Sequence, residues 1–151
     1  IGSAKAITIL AACELGKRRQ KATVEEAPIL NSAENIYQFM HTTIQDLDIE
    51  EGWVLMMKQN FRLIEAKRIS VGGLTMAPVD LRLMMKEVLL KNTTVLAFCH
   101  NHPSGSTNPS RDDDILTSHI HKACELLHIH FADHVILTDG GYFSYREEGK
   151  L

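Results

Sequence analysis

Apolar residues recur at helical spacing in two stretches of the chain, residues 3–18 and 79–90, and capping serines predict two further helices. The predicted helices cover residues 3–18, 32–40, 79–90 and 110–127. Ser32 and Ser110 stand where the second and fourth helices begin, and a serine there can accept hydrogen bonds from the exposed N–H groups of the first turn. Between the first two helices the pattern gives way to polar residues and Pro28, which predicts a linker.

Five shorter runs are rich in β-forming residues, and each predicts a strand. They cover residues 53–57, 61–69, 93–99, 128–138 and 142–145. The first two runs are separated by three polar residues and predict a hairpin, and the last two meet across the turn sequence Asp139-Gly140-Gly141. Strands that alternate with helices predict an α/β fold, with a mixed β-sheet flanked by helices on both faces.

Composition limits the class of protein. A chain of 151 residues with 44% apolar and 23% charged residues is long enough to bury one core, which excludes disordered and collagen-like chains. No apolar run reaches the roughly 18 residues that a membrane-spanning helix needs. Three cysteines without a CxxC pair argue against a disulfide framework and against a thiolate zinc site. A start at Ile1 without a signal-peptide pattern predicts part of a longer, cytoplasmic protein.

The candidate chemistry lies in the segment HNHPSGSTNPSRDDD, which follows the third predicted strand. His100 and His102 are two residues apart and point to the same side of an extended chain, so both rings can reach one metal ion, whereas Cys99 points away. Asp113 lies in the first turn of the helix that begins at Ser110, and it can return a carboxylate to the histidines. Two His and one Asp with one open position are typical of a catalytic zinc site, where water loses its proton near neutral pH.

Structural roles compete with this interpretation. The spacing of Ser110 and Asp113 is equally that of a helix cap, and an isolated H-x-H is structural more often than not. Their conjunction across a loop bounded by two prolines favours a metal site. His128 and His130 form a second H-x-H, but no serine-and-carboxylate turn follows it. His134 is expected to be a structural residue hydrogen-bonded near the site.

With these residues the sequence resembles the RadC family, a bacterial branch of the JAMM metalloproteins, which are also called MPN+ or JAB proteins. The JAMM pattern is an upstream glutamate, then H-x-H, seven residues and S-x-x-D. His100, His102, Ser110 and Asp113 match its later part in full. The segments DHVI and YFSYREEG look like the closing strands of RadC proteins. The resemblance therefore covers the chain from about residue 31 to its end.

The resemblance implies a JAMM/cytidine-deaminase-like fold with Zn²⁺ held by His100, His102 and Asp113. It implies a metallopeptidase-type hydrolase that cleaves a peptide or isopeptide bond of a peptide or protein substrate through attack by hydroxide formed at the zinc. In JAMM hydrolases the serine that corresponds to Ser110 stabilises the oxyanion formed in this attack.

The resemblance also implies an upstream glutamate as the general base, and two residues compete for that role. Glu50 and Glu51 both precede a strand with two apolar faces, so alternation alone does not decide between them. RadC-like sequences place the glutamate two residues before an aromatic residue, which selects Glu51, before Trp53.

Residues 1–22 look like the end of the helix-hairpin-helix region that precedes the catalytic domain in RadC proteins, and residues 23–151 look like the hydrolase-like domain. A helix-hairpin-helix offers backbone N–H groups to a DNA phosphate. The alternative function is therefore a DNA-associated repair or accessory module whose metal domain serves binding rather than catalysis. The net charge of −3 and a single basic cluster favour the hydrolase. That cluster consists of Lys17, Arg18, Arg19 and Lys21.

Overall fold

The computed structural model describes residues 2–72 and 79–151, without the side chains of residues 19–26. Helices and strands alternate along these residues. The helices are α1 (Ser3–Glu26), α2 (Ala33–Ile44), α3 (Leu81–Leu90) and α4 (Arg111–Leu126). The strands are β1 (Glu51–Met57), β2 (Leu63–Val71), β3 (Val95–Asn101), β4 (His130–Thr138) and β5 (Gly141–Ser144).

The five strands form one mixed sheet in the order β2-β1-β3-β4-β5. β1 is antiparallel to both β2 and β3, whereas β3 and β4 are parallel and β4 and β5 are antiparallel. The helix α2 packs on one face of the sheet, and α3 and α4 pack on the other. This arrangement confirms the predicted α/β fold with helices on both faces.

Alternation along β3 divides the core in two. Val95, Ala97 and Cys99 pack against α2 on the first face, and Leu96 and Phe98 pack against α3 and α4 on the second. All seven residues of this central strand are buried. We call these two sides of the sheet the α2 face and the α4 face. The division matters because it decides which polar residues at the strand end meet α4.

The first helix differs most from the prediction. α1 continues to Glu26, whereas the apolar pattern predicted an end near residue 18. Its described apolar side chains are largely exposed, with Ile7 at 67% and Leu10 at 69%. The prediction ended too early because it followed the apolar stripe, and the sequence of the second half of α1 has no such stripe. The Gln, Lys and Glu residues of this half nevertheless favour the helical state. Among the described residues, no helix combines the length and apolar character needed to cross a membrane.

Gly52 lies where β1 approaches its neighbours most closely. A Cβ at this position would lie 2.4 Å from Ser70 Oγ and 3.0 Å from Phe98 Cζ. We expect Gly52→Ala to lower the free energy of unfolding by about 1 to 3 kcal/mol, the usual cost of overpacking a core. Urea denaturation of the variant and the wild type measures this difference.

Gly140→Ala is the matched control, because a Cβ at Gly140 would meet none of the described residues within 4 Å. We expect its stability to stay within about 0.5 kcal/mol of the wild type. Combining Gly52→Ala with Ser70→Ala should restore part of the loss, since the closest atom is then removed. A Gly52→Ala variant as stable as the control would show that β1 does not pack as described.

Candidate metal centre

The two histidines of the H-x-H motif lie together at the end of β3. His100 follows Phe98 on the α4 face, and its side chain is 3% exposed. His102 lies just beyond the strand, and its Nε2 is 2.9 Å from the Nε2 of His100. Cys99 is buried on the α2 face, as predicted. The sequence-predicted pair therefore shares one side of the chain.

The first turn of α4 brings Asp113 to these rings. The hydroxyl of Ser110 accepts a hydrogen bond from the Asp113 N–H at 3.1 Å, and the Ser110 N–H and hydroxyl donate to Asp113 Oδ2 at 2.7 and 2.8 Å. This is the capping box that the spacing also allowed. The other oxygen, Oδ1, is buried, accepts no hydrogen bond from the described residues and lies 3.1 Å from His100 Nε2. The cap is thus compatible with metal binding, since it occupies one carboxylate oxygen and leaves the other facing the histidines.

The pairing of β1 with β3 determines which glutamate faces the histidines. Gly52 pairs with His100, so alternation places Glu50 on the side of the histidines and Glu51 on the α2 face. The Glu50 Oε1 lies 3.6 Å from His102 Nε2. Glu50 and the two histidines offer ligand atoms that all lie within 4.8 Å of one another.

Glu51, the glutamate that the resemblance selected, is held by other groups. Its carboxylate accepts hydrogen bonds from the Arg68 guanidinium at 2.9 Å and from Trp53 Nε1 at 3.1 Å. Its main-chain N–H donates to the side-chain oxygen of Asn101 at 2.7 Å. The structure therefore does not bring Glu51 to the histidines, because the register of β1 turns it to the opposite face.

The imidazoles at the site favour an ionised carboxylate, against the effect of burial. Burial opposes ionisation of Asp113, but the adjacent imidazoles of His100 and His102 outweigh it and hold the pKa of the carboxyl far below its usual range. The Asp113 carboxylate in turn raises the pKa of His102, against the opposing effect of burial. Burial lowers the pKa of His134 well below its ordinary value, so this ring is neutral and carries one N–H.

The donor set fits a metal ion such as Zn²⁺, which is bound by imidazole nitrogen and carboxylate oxygen. The unpaired, buried Oδ1 of Asp113 is the observation that shows the fit, since a carboxylate oxygen is costly to bury without a partner. His102 adds to it, because its Nδ1 lies 2.8 Å from the Ser106 carbonyl oxygen, which only accepts. In the neutral ring the proton is therefore on Nδ1, and Nε2 has a free lone pair. These residues could hold a metal ion.

Two further histidines that the sequence analysis considered, His130 and His134, lie on opposite faces of the sheet. His130 packs edge-on to Phe61 at a centroid distance of 5.9 Å, and Phe61 belongs to the α2 face. His134 is hydrogen-bonded to His100, with 2.8 Å between Nε2 and Nδ1, which confirms the expected position near the site. Sequence reasoning missed Thr117, which contacts His134 and whose only signal is its place one helical turn after Asp113.

A polar cleft of about 300 Å³ opens on the site. It is lined by Glu50, His102, Ser104, Ser106, Asn108, Ser110, Asp112 and Asp113. A larger cavity, of about 540 Å³, lies beside α4 and the last residues of the chain and does not include the two histidines of the H-x-H motif. The chemistry of the site therefore points to the smaller cleft.

Comparison with known proteins agrees with the resemblance. The family described as a RadC-like JAB domain matches residues 30–150. A UPF0758 protein of Flavobacterium johnsoniae is 38% identical over 149 residues, which cover 99% of this chain and 65% of the relative. A UPF0758 protein of Porphyromonas gingivalis is 35% identical over 152 residues, covering 100% and 67%, and one of Thermotoga maritima is 32% identical over 151 residues, covering 100% and 68%.

The chain thus spans about two thirds of the length of these curated relatives. The family match covers most of the chain, including the H-x-H motif, the capped start of α4 and the whole sheet. The chain belongs to the RadC-like JAB domain family.

Proposed function

We propose that this domain is a zinc-dependent hydrolase of the JAMM type that cleaves a peptide or isopeptide bond. The observation that carries the proposal is the convergence of His100, His102 and Asp113 in a buried place, with Oδ1 of the carboxylate unpaired. Membership in the JAB family supports the same class of reaction. A purely structural cluster would pair its buried donors and acceptors with each other.

Three residues would hold the ion, namely His100, His102 and Asp113. Asp113 suits a ligand because its side chain is 1% exposed and the capping box fixes its orientation. Zinc bound there would supply Lewis acidity, which makes water nucleophilic near neutral pH and polarises an amide carbonyl.

Glu50 suits the general base. Its side chain is 28% exposed, borders the cleft and lies beside His102, so its carboxylate can reach both a water molecule and a bound substrate. It would take a proton from the attacking water and return it to the leaving amine. Glu51 is committed to Arg68 and Trp53.

Ser110 has a defined task in the structure, which is to hold Asp113. Its hydroxyl proton is donated to Asp113 Oδ2. Donation to an oxyanion, the role that the resemblance implies, requires this proton to turn from Oδ2 to the substrate. That role stays a prediction.

The cleft suits a polypeptide substrate. Its lining offers hydroxyl, amide and carboxylate groups and includes no aromatic ring other than His102 among the described residues. Such a surface can exchange hydrogen bonds with the main chain of an extended peptide, and it offers little to a large apolar ligand.

DNA association ranks second as a function. Its support in the sequence is the resemblance of residues 1–22 to the end of a helix-hairpin-helix region, together with the small basic cluster in α1. The side chains of Arg19 and Lys21 lie outside the described residues. Arg18 is paired with Glu14 at 2.9 Å, which reduces the positive charge available for phosphate. Strong, salt-sensitive DNA binding that survives His100→Ala would reverse this order.

Zinc should bind the folded protein and stabilise it. We expect about one zinc per chain and a rise in unfolding temperature with added zinc, equivalent to about 2.7 kcal/mol when free zinc is about a hundred times its Kd. Elemental analysis and thermal unfolding measure the two effects. A folded His100→Ala, His102→Ala variant should show neither, and equal zinc content in variant and wild type would contradict the proposed site.

Replacing each glutamate in turn tests the general base. With a panel of peptide and isopeptide substrates, we expect Glu50→Gln to lower kcat by about 10² to 10⁴-fold at unchanged zinc content, the usual contribution of a general base. Glu51→Gln is the matched control, and it should lower stability through its lost pair with Arg68 while leaving zinc-loaded activity largely intact. The opposite ranking would assign the base to Glu51, and a zinc-loaded wild type without activity on the panel would count against a peptidase.

A further inference from the structure

A closed circuit of hydrogen bonds joins two of the candidate ligands behind the site. The Thr117 hydroxyl donates to the main-chain carbonyl of Asp113 at 2.7 Å. The same oxygen lies 2.5 Å from Nδ1 of His134, whose Nε2 lies 2.8 Å from Nδ1 of His100. His100 Nε2 then faces the Asp113 carboxylate at 3.1 Å and completes the circuit. We call Thr117 and His134 the relay.

The protons of this circuit can be placed by following the donors. A main-chain carbonyl only accepts, so the single hydroxyl proton of Thr117 points to Asp113. Thr117 must therefore accept from a proton on His134 Nδ1. Metal binding through His100 Nε2 requires the His100 proton on Nδ1, and His134 can accept that proton only at an unprotonated Nε2. His134 Nε2 is then an acceptor, and His100 donates to it from Nδ1. When the His100 ring is neutral, its one proton is then on Nδ1, so its Nε2 has the lone pair that a metal ion needs.

A register shift in the sheet brings His134 to this position. The pairing of β3 with β4 shifts by one residue at Ala132, as in a β-bulge. Without the shift, alternation would turn His134 to the α2 face, away from His100. The guanidinium of Arg146 donates to the carbonyl of Phe131 at 2.8 Å and also to that of Ala132, which satisfies main-chain groups at the shift.

The His134 ring is also fixed by its packing. It is fully buried, stacks on the Tyr145 ring at 4.8 Å with an interplanar angle of 8°, and meets the Phe98 ring edge-on at 4.9 Å. Turning the ring over would place carbon atoms where Nδ1 and Nε2 now lie, and its hydrogen bonds to Thr117 and His100 would both be lost. Its hydrogen-bonding direction toward His100 is therefore determined by the fold.

We propose that Thr117 and His134 are positioning residues of the metal centre, which hold His100 in the one tautomer that can bind a metal through Nε2. The proposal rests on the proposed function, because it assigns the relay to the same site. Without the relay, the His134 proton can move to Nε2, and His134 would then donate to His100 Nδ1. The proton of the neutral His100 ring would then lie on Nε2, the atom that would bind the metal.

Zinc affinity tests the relay at Thr117. Val is close to Thr in shape but lacks the hydroxyl, whereas Ser retains it. Competition with a chromophoric chelator, with Zn²⁺ as the probe, should give a Kd up to about 10-fold weaker for Thr117→Val. The usual effect of about 10 to 100-fold belongs to a group bonded directly to a metal-binding histidine, and Thr117 acts one hydrogen bond further out, through His134. Thr117→Ser should bind close to the wild type. Equal affinity of Thr117→Val and wild type would overturn the proposal.

The position of the proton on each imidazole ring can be measured directly. A Thr117 with a merely structural role would not change it. In the zinc-free wild type, ¹⁵N spectra of the imidazoles should show protonated Nδ1 and unprotonated Nε2 for His134, and a protonated Nδ1 for His100. Thr117→Val should shift the His134 proton toward Nε2. A wild-type His134 protonated on Nε2 would overturn the proposal, and this measurement holds even where the valine variant does not fold.

Failure of the relay and failure of the proposed function are distinguishable. Zinc binding by the wild type that does not depend on the Thr117 hydroxyl overturns the relay alone. A wild type that binds no zinc overturns the metal function, and the role of the relay at a metal with it. His134→Gln adds a check, because its amide can donate to Thr117 and accept from His100, so it should retain more zinc affinity than His134→Leu.

Discussion

Three atoms that can donate a lone pair to a metal ion lie together in one buried place, and the rest of the site is arranged around them. The Nε2 atoms of His100 and His102 are 2.9 Å apart, and Asp113 Oδ1 lies 3.1 Å from the first of them. Donors at these distances repel one another unless a cation or a shared proton lies between them. The capping box, the relay and the Ser106 carbonyl hold the donors in place. A rigid set of donors of this kind is how proteins preorganise a metal site.

Two single-residue features of the sheet determine which side chains surround this cluster. The register of β1 against β3 turns Glu50 toward His102 and turns Glu51 to the α2 face. The register shift at Ala132 in β4 turns His134 toward His100. Because side chains alternate along a strand, a slip of one residue in either pairing would exchange the residues on the two faces. The chemistry of the site therefore depends on strand pairing as much as on the motif.

The parts of the structure that depend on local spacing could be predicted from the sequence. Period-two alternation placed His100 and His102 together, and the three-residue step from Ser110 placed Asp113 in the first turn of α4. The glutamate next to the histidines could not be predicted from residues, because both faces of β1 are apolar and only the pairing register separates Glu50 from Glu51. The end of α1 was also missed, since its polar second half has no apolar stripe.

The relay shows the same limit in a different form. His134 was expected near the site, but a strict alternation from His130 would have put both on one face, and the bulge reverses this.

Anomalous diffraction at the zinc edge, from crystals of the zinc-loaded protein, tests the central claim most directly. We predict one peak enclosed by His100 Nε2, His102 Nε2 and Asp113 Oδ1. A peak at other residues, or no peak in crystals of protein loaded with zinc, would contradict the account.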